Sequence, residues 1–199
     1  MNSRRGGEGF SLPELLLALA LLGLLITATS PALGAALARS RAQAAARELI
    51  VTMAQLRGEA IARHQAVGLR LVAAGNSRRF TPYADGDGDG ILTADIVSGI
   101  DPPIGPARDL PGRYEGVDFG LLDIALPALP PGGTPLLPGS DPVRFGASDI
   151  ITFTPIGTAS SGTLYVSDGR DTVYAVVLYG RTGRIRSFRY DRATGAWSD

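Results

Sequence analysis

Residues 9–25 read Gly9-Phe10-Ser11-Leu12-Pro13-Glu14-Leu15-Leu16-Leu17-Ala18-Leu19-Ala20-Leu21-Leu22-Gly23-Leu24-Leu25. Leucine and alanine are strong helix formers, and no charged residue occurs from Leu15 to Ala38. A hydrocarbon layer of about 30 Å takes roughly 20 helical residues, so the apolar stretch Phe10–Leu37 is long enough to span one. Pro13 fits only near the start of such a helix. It lacks an N–H, and the first four amides of a helix have no intrahelical partner. A secretory signal peptide is the competing interpretation, with Ala36-Leu37-Ala38 as its cleavage site. Such a signal has an apolar core of about 7–15 residues. This run is longer, and it opens with an acidic residue.

Beyond the apolar run the helical period continues. Ala42, Ala45, Ala46, Leu49, Met53, Leu56 and Ala60 recur at spacings of three and four, one apolar stripe. Glu48, Thr52, Gln55, Glu59 and Arg63 form a polar stripe opposite. One helix over residues 10–64 is therefore expected, about 80 Å long at 1.5 Å per residue. Residues 10–37 would be its transmembrane part and 38–64 would pack on a soluble head. Pro31, with Ser30 and Gly34 beside it, marks an expected kink. Charge does not orient the span. Arg4 and Arg5 precede it, while Arg39, Arg41 and Arg47 follow it, and the positive-inside rule counts both flanks.

The segment Gly9-Phe10-Ser11-Leu12-Pro13-Glu14-Leu15 resembles the type IV prepilin motif. There a short basic leader ends in Gly, followed by Phe, a small hydroxyl residue, Leu, a variable residue, Glu and Leu. The resemblance implies a leader of residues 1–9, cleavage between Gly9 and Phe10 by a prepilin peptidase, and N-methylation of Phe10. It also implies that Glu14 pairs with the N-terminal amine of a neighbouring subunit during assembly. A carboxylate in an apolar layer costs about 2.5–3.5 kcal/mol without a partner. The alternative is a hydrated Glu14 at the membrane boundary. The family commonly carries a proline at the distance of Pro31 from the cleavage site, whereas Pro13 is a mild departure from its pattern.

From Val67 the period changes to two. Val67–Val72 alternates as a half-buried strand does, with Arg79–Tyr83 as its hairpin partner. Ile150–Phe153, Thr163–Val166, Thr172–Tyr179 and Arg184–Tyr190 read as further strands of an antiparallel sheet. Asp168-Gly169 is a tight-hairpin signal, and Gly180-Arg-Thr-Gly183 supplies the next turn. Residues 65–199 are thus expected to form a β-rich head, which the resemblance to the prepilin motif, with its N-terminus-in orientation, implies is periplasmic. The class is α+β: a long N-terminal transmembrane helix, pilin-like, packed on an antiparallel β-sheet or β-sandwich. Phe153-Thr-Pro155-Ile-Gly157, the strand from Gly162, and Gly180-Arg-Thr-Gly-Arg-Ile-Arg186 together look similar to the C-terminal pattern of the GspH/FimT minor pseudopilins. Between the helix and these strands, Ser98–Asp149 holds most of the 14 prolines. It reads as an insertion, either poorly ordered or partner-binding, with short strands at Tyr114–Leu121 and Val143–Phe145.

Asp85-Gly-Asp87-Gly-Asp89-Gly90 places carboxylates at alternate positions before a glycine, the first half of an EF-hand-like Ca²⁺ loop. The second half departs from that pattern. Its twelfth position is Ile96, and Asp95 precedes it by one. Ca²⁺ ligation by Asp85, Asp87, Asp89 and Asp95 stands beside a plain solvated turn, with Asp101 as a distant substitute ligand.

The formal net charge is zero and all 19 basic residues are arginine, so nothing favours nucleic acid as a partner. There is no cysteine, hence no disulfide framework. His64 is the only histidine, and no nucleophile–base set or phosphate loop is visible; an enzyme is not expected, and no cofactor is required. Arg184, Arg186 and Arg189 read as solvated or edge-protecting residues. The resemblance implies a minor pseudopilin of a type II secretion system, anchored in the inner membrane with its head in the periplasm. Its partners would be prepilin peptidase, other minor and major pseudopilins and membrane lipid. The alternatives are a FimT-like minor pilin of type IV pilus biogenesis and a secreted Ca²⁺-binding β domain with an ordinary signal peptide.

Overall fold

The computed structural model describes residues 11–130, 132–192 and 194–199, and the side chains of all of these except 25–31. The chain divides into two units, Met1–Leu37 and Ala38–Asp199. Helix α1 (Leu12–Arg63) is 52 residues long. It starts where Ser11 turns its carbonyl toward the amides of Glu14 (3.0 Å) and Leu15 (3.1 Å). Pro13 is therefore in the first turn, where its missing N–H costs nothing. The helix stops at His64, which takes a left-handed φ of 53°.

In the first unit, the described apolar side chains of α1 are exposed, from Leu12 at 73% to Leu24 at 67%. They cover about 20 Å of helix. Among the described residues, no helix is long and apolar enough to cross a membrane. The stretch Phe10–Leu37 extends past them at Phe10 and at 25–31. Gly9, Phe10 and the leader 1–9 lie outside the described residues, as does the side chain of Pro31.

In the second unit, strands β1 (Val67–Ala74) and β2 (Ser77–Ala84) form the expected hairpin. After a loop and a short helix α2 (Thr93–Ser98) come β3 (Arg108–Asp109), β4 (Asp118–Phe119) and β5 (Val143–Arg144). They are followed by β6 (Ile150–Phe153), β7 (Gly162–Ser167), β8 (Val173–Tyr179), β9 (Arg184–Asp191) and β10 (Ala196–Ser198). Two antiparallel sheets result. One has the order β3-β2-β1-β6; the other has the order β10-β9-β8-β7-β4, with β5 also on β7. The strands divide into two sheets rather than one because β6 returns to β1 rather than to β7.

The stripe Ala42, Ala45, Ala46, Leu49, Met53, Leu56 and Ala60 is buried. It packs with Val67, Leu69, Phe80, Ile151 and Phe153 of the first sheet and Leu164, Val166, Val176 and Leu178 of the second. The alanines let the helix axis approach the sheets closely. The alternate residues of the second sheet, Tyr165, Val173, Ala175, Phe188 and Tyr190, meet a second cluster with Leu122, Leu126 and Leu136. β8 is therefore covered on both faces, which is why it reads as a nearly continuous apolar run.

That second cluster corrects the expectation for Ser98–Asp149. The described part of the segment is packed on the head rather than loosely inserted. It supplies Leu110, Val117, Leu122, Leu126 and Leu136 to the core, all at most 3% exposed. The Trp197 indole donates to the Pro127 carbonyl at 2.8 Å, and Glu48 of α1 accepts from Arg113 (2.7 Å) and Tyr114 (2.8 Å). Prolines hold its backbone extended while its leucines cover the outer sheet face. The strands expected over Tyr114–Leu121 and Val143–Phe145 shrink to β4 and β5 for the same reason. The β7–β8 connection is also wider than a two-residue hairpin, because Ser167 pairs with Val173. The Asp168 carboxylate organises it, accepting the amides of Arg170, Asp171 and Thr172 at 2.9–3.0 Å. Burial works against its charge, but these amides outweigh burial and hold its pKa below the ordinary 3.8.

Leu49→Ala should lower stability by about 3 kcal/mol, within the range for buried leucine truncation. Val51→Ala, on the exposed side of the same helix turn, should change it by less than about 0.5 kcal/mol. Urea unfolding of the detergent-solubilised chain, followed by the β-sheet signal, measures both.

Candidate functional site

Glu14 lies in the first turn of α1 and is exposed. Around it stand exposed leucines, Leu12, Leu15, Leu16 and Leu17, at 54–73%. Among the described residues it enters no ion pair. An acid surrounded by uncovered apolar surface needs a partner if that surface is buried.

At the opposite end of α1, the acidic loop is built by two buried carboxylates. Asp85 is 3% exposed and Asp101 is fully buried. Asp85 accepts the amides of Gly88 (2.7 Å) and Gly90 (3.0 Å) on its two oxygens. Asp101 accepts those of Gly86 and Leu92, each at 3.0 Å. The Asp85 amide donates to the Ala66 carbonyl at 3.0 Å, and the Gln65 side chain donates to the Asp85 carbonyl. The loop is thus tied to the end of α1. At Gly86 a Cβ would overlap the Ile100 carbonyl, so glycine is required there by close approach. Asp87 and Asp89 remain exposed.

Of the expected ligands, the structure brings three together. Carboxylate oxygens of Asp85, Asp87 and Asp89 lie within 4.8 Å of one another and could hold a cation. Asp95 is outside this trio, on α2, with its carbonyl accepting the Asp101 amide at 3.1 Å. Desolvation and then the charges of Asp87, Asp101 and Asp85 raise the Asp95 pKa above 3.8. Asp89 is raised likewise, by desolvation and then by Asp87. The loop begins on the buried Asp85, carries Asp87 and Asp89 at its solvated tip and leads into α2. The residue that sequence reasoning undervalued is Asp101. The signal available was its place before Pro102-Pro103, where a fixed backbone can present a carboxylate to a preceding loop.

A third assembly joins α1 to the head. Arg57 donates from Nε to the Gly157 carbonyl at 2.9 Å. Gly157 and Gly183 both have left-handed backbone, with φ of 82° and 60°. A Cβ at Gly183 would overlap the Gly157 carbonyl and press on the Arg57 guanidinium. The turns after β6 and β8 therefore stack on each other and close on one arginine.

A family profile for the type II transport protein GspH matches residues 45–183. The chain belongs to the GspH family of type II secretion minor pseudopilins. Two solved structures of the minor pseudopilin EpsH from the Type 2 Secretion System of Vibrio cholerae are similar to it. Their identities are 18% and 16%, they cover 74% and 75% of this chain and 95% and 94% of their own, and the TM-score is 0.45 for each. No curated protein sequence matches the chain.

The GspH match begins in the buried stripe of α1 and ends at the Gly183 turn, so it encloses Arg57 and both turns that meet it. The C-terminal pattern noted in the sequence is thus a packing signature: its glycines admit Arg57. Glu14 lies outside the matched residues. Membership makes this chain a structural subunit that assembles with other pseudopilins in a periplasmic pseudopilus, and it selects type II secretion over the type IV pilus alternative. His64 is exposed at the end of α1, away from any acid–base set among the described residues.

Asp101→Ala strands the Gly86 and Leu92 amides and should cost about 1–3 kcal/mol. Asp87→Ala, at an exposed position, should cost far less. Chemical denaturation gives the cost of each, and amide exchange at Gly86 and Leu92 should accelerate only in the first.

Proposed function

We propose that this GspH-family chain is held in the inner membrane by the apolar part of α1 and enters the pseudopilus through a contact between Glu14 and the amine of a neighbouring subunit. The observation that carries the reading is an exposed carboxylate in the first turn of a helix whose leucines are also exposed. Exposed leucine over successive turns is unfavourable in water, and lipid or other helices would cover it. Once it is covered, Glu14 needs a cation. A terminal amine at Phe10, freed by prepilin peptidase after Gly9 and methylated, would supply one at a fixed register. Buried ion pairs are best attested in that registering role. The head would then stand in the periplasm.

Mass spectrometry of the mature chain should find an N-methylated Phe10 as its first residue; a start near Arg39 would remove the anchor and the reading with it. Glu14→Val should leave membrane insertion unchanged while reducing incorporation into pseudopili at least tenfold, scored by crosslinking in sheared pseudopili.

A second reading concerns the acidic loop. The convergence of Asp85, Asp87 and Asp89 favours weak Ca²⁺ binding there. Like charges raise the pKa of Asp89 and Asp95 after desolvation. Groups raised in the fold favour folding only at low pH, and their repulsion grows as pH rises through their folded pKa. A divalent cation would relieve that repulsion at neutral pH, and protons would displace it as pH falls toward the carboxylate range. Calorimetric titration of the full chain should register Ca²⁺ binding at pH 7 that is lost in Asp87→Asn/Asp89→Asn; heat identical in chain and variant excludes the loop.

A further inference from the structure

At the end of the head from which the apolar segment departs, arginines gather around one cavity. The cavity, about 320 Å³, is lined by Arg39, Asp171, Thr172, Arg189, Tyr190, Asp191 and Arg192. Arg192 is paired with Asp171 at 2.7 Å. Arg39, Arg47 and Arg189 enter no ion pair among the described residues, and all three are exposed. The charges of these arginines also reach Tyr174, with which Arg189 shares a hydrogen bond. Burial raises the pKa of its hydroxyl, and the charges of Arg189, Arg47 and Arg39 act in the opposite direction. The lining carries Arg39, Arg189 and Arg192 against the carboxylates of Asp171 and Asp191, so the guanidiniums outnumber the acids and leave room for an anion.

We propose that this arginine collar binds the phosphate of an anionic phospholipid headgroup on the periplasmic leaflet. The inference rests on the membrane reading of α1. Arg39 follows Leu37, the end of the apolar stretch, by two residues, about 3 Å along a helix. A residue so placed beyond a membrane span lies at headgroup depth. The planar guanidinium binds phosphate oxygens in pairs, and β9 with the residue that follows it brings Arg189 and Arg192 to the same cavity from far along the chain. The collar also accounts for the charge pattern. Arginines flank the span on both sides, which the positive-inside rule does not explain, and headgroup binding gives the periplasmic set its own use. Arg41 is separate, paired with Glu115 at 3.2 Å.

The test uses the full chain reconstituted in vesicles of phosphatidylcholine alone and in vesicles containing phosphatidylglycerol. Flotation reports insertion. Phenylglyoxal modification, read by peptide mass spectrometry, reports the accessibility of each arginine. In the anionic vesicles Arg39, Arg189 and Arg192 should react severalfold more slowly than in the neutral ones. Arg181 and Arg184, near the Gly183 turn at the other end of the head, should react equally in both. In Arg39→Gln/Arg189→Gln, which should still float, Arg192 should lose that protection. Equal reactivity of the collar in both lipids overturns the proposal while leaving the anchor intact. So does protection that arises only when other pseudopilins share the membrane, which would assign the collar to a protein partner. Failure to float removes the anchor reading and the collar together.

Discussion

The head is organised around one stripe on one helix. Ala42, Ala45, Ala46, Leu49, Met53 and Ala60 are at most 1% exposed, and both sheets turn a face toward them. A helix that is apolar all round can rest in lipid or in a filament core; one that is apolar on a single stripe must be buried on that side alone. The sequence of α1 carries no charge from Leu15 to Ala38, and after that a single apolar stripe is buried.

The second half of α1 is held to the head by polar contacts at three levels. Glu48 takes Arg113 and Tyr114 near one end of the stripe. Arg57 reaches the Gly157 carbonyl in the middle. Gln65 and the Ala66 carbonyl secure the acidic loop at the far end. Each fixes a backbone segment that lies far away in sequence, so the apolar contact sets the energy and the polar contacts set the register. The GspH match ends at Gly183, the residue whose missing side chain leaves room for Arg57.

The proline-rich segment serves the same economy. The outer face of the second sheet would otherwise expose Tyr165, Val173, Phe188 and Tyr190. An extended strap carrying Leu122, Leu126 and Leu136 covers it, and Trp197 fastens the strap from β10. A chain with no cysteine has no disulfide to tie down such a strap, and one indole hydrogen bond with apolar packing serves instead.

Local pattern alone determined much of this protein. The prepilin-like motif, the three-four spacing of the stripe, the alternation of β1 and β9, and the glycine turns are short-range signals, because helix and strand periods are properties of neighbouring residues. The helix, most strands, the acidic trio and the family were therefore legible from residues as they stand. Three things were not. The division into two sheets depended on β6 choosing β1. The core role of Ser98–Asp149 depended on an open sheet face elsewhere. The gathering of Arg39 with Arg189 and Arg192, and of Asp101 with the Asp85 loop, depended on how distant segments cross. Such choices are made by burial and by hydrogen-bond satisfaction over the whole head, and only the tertiary structure carries them.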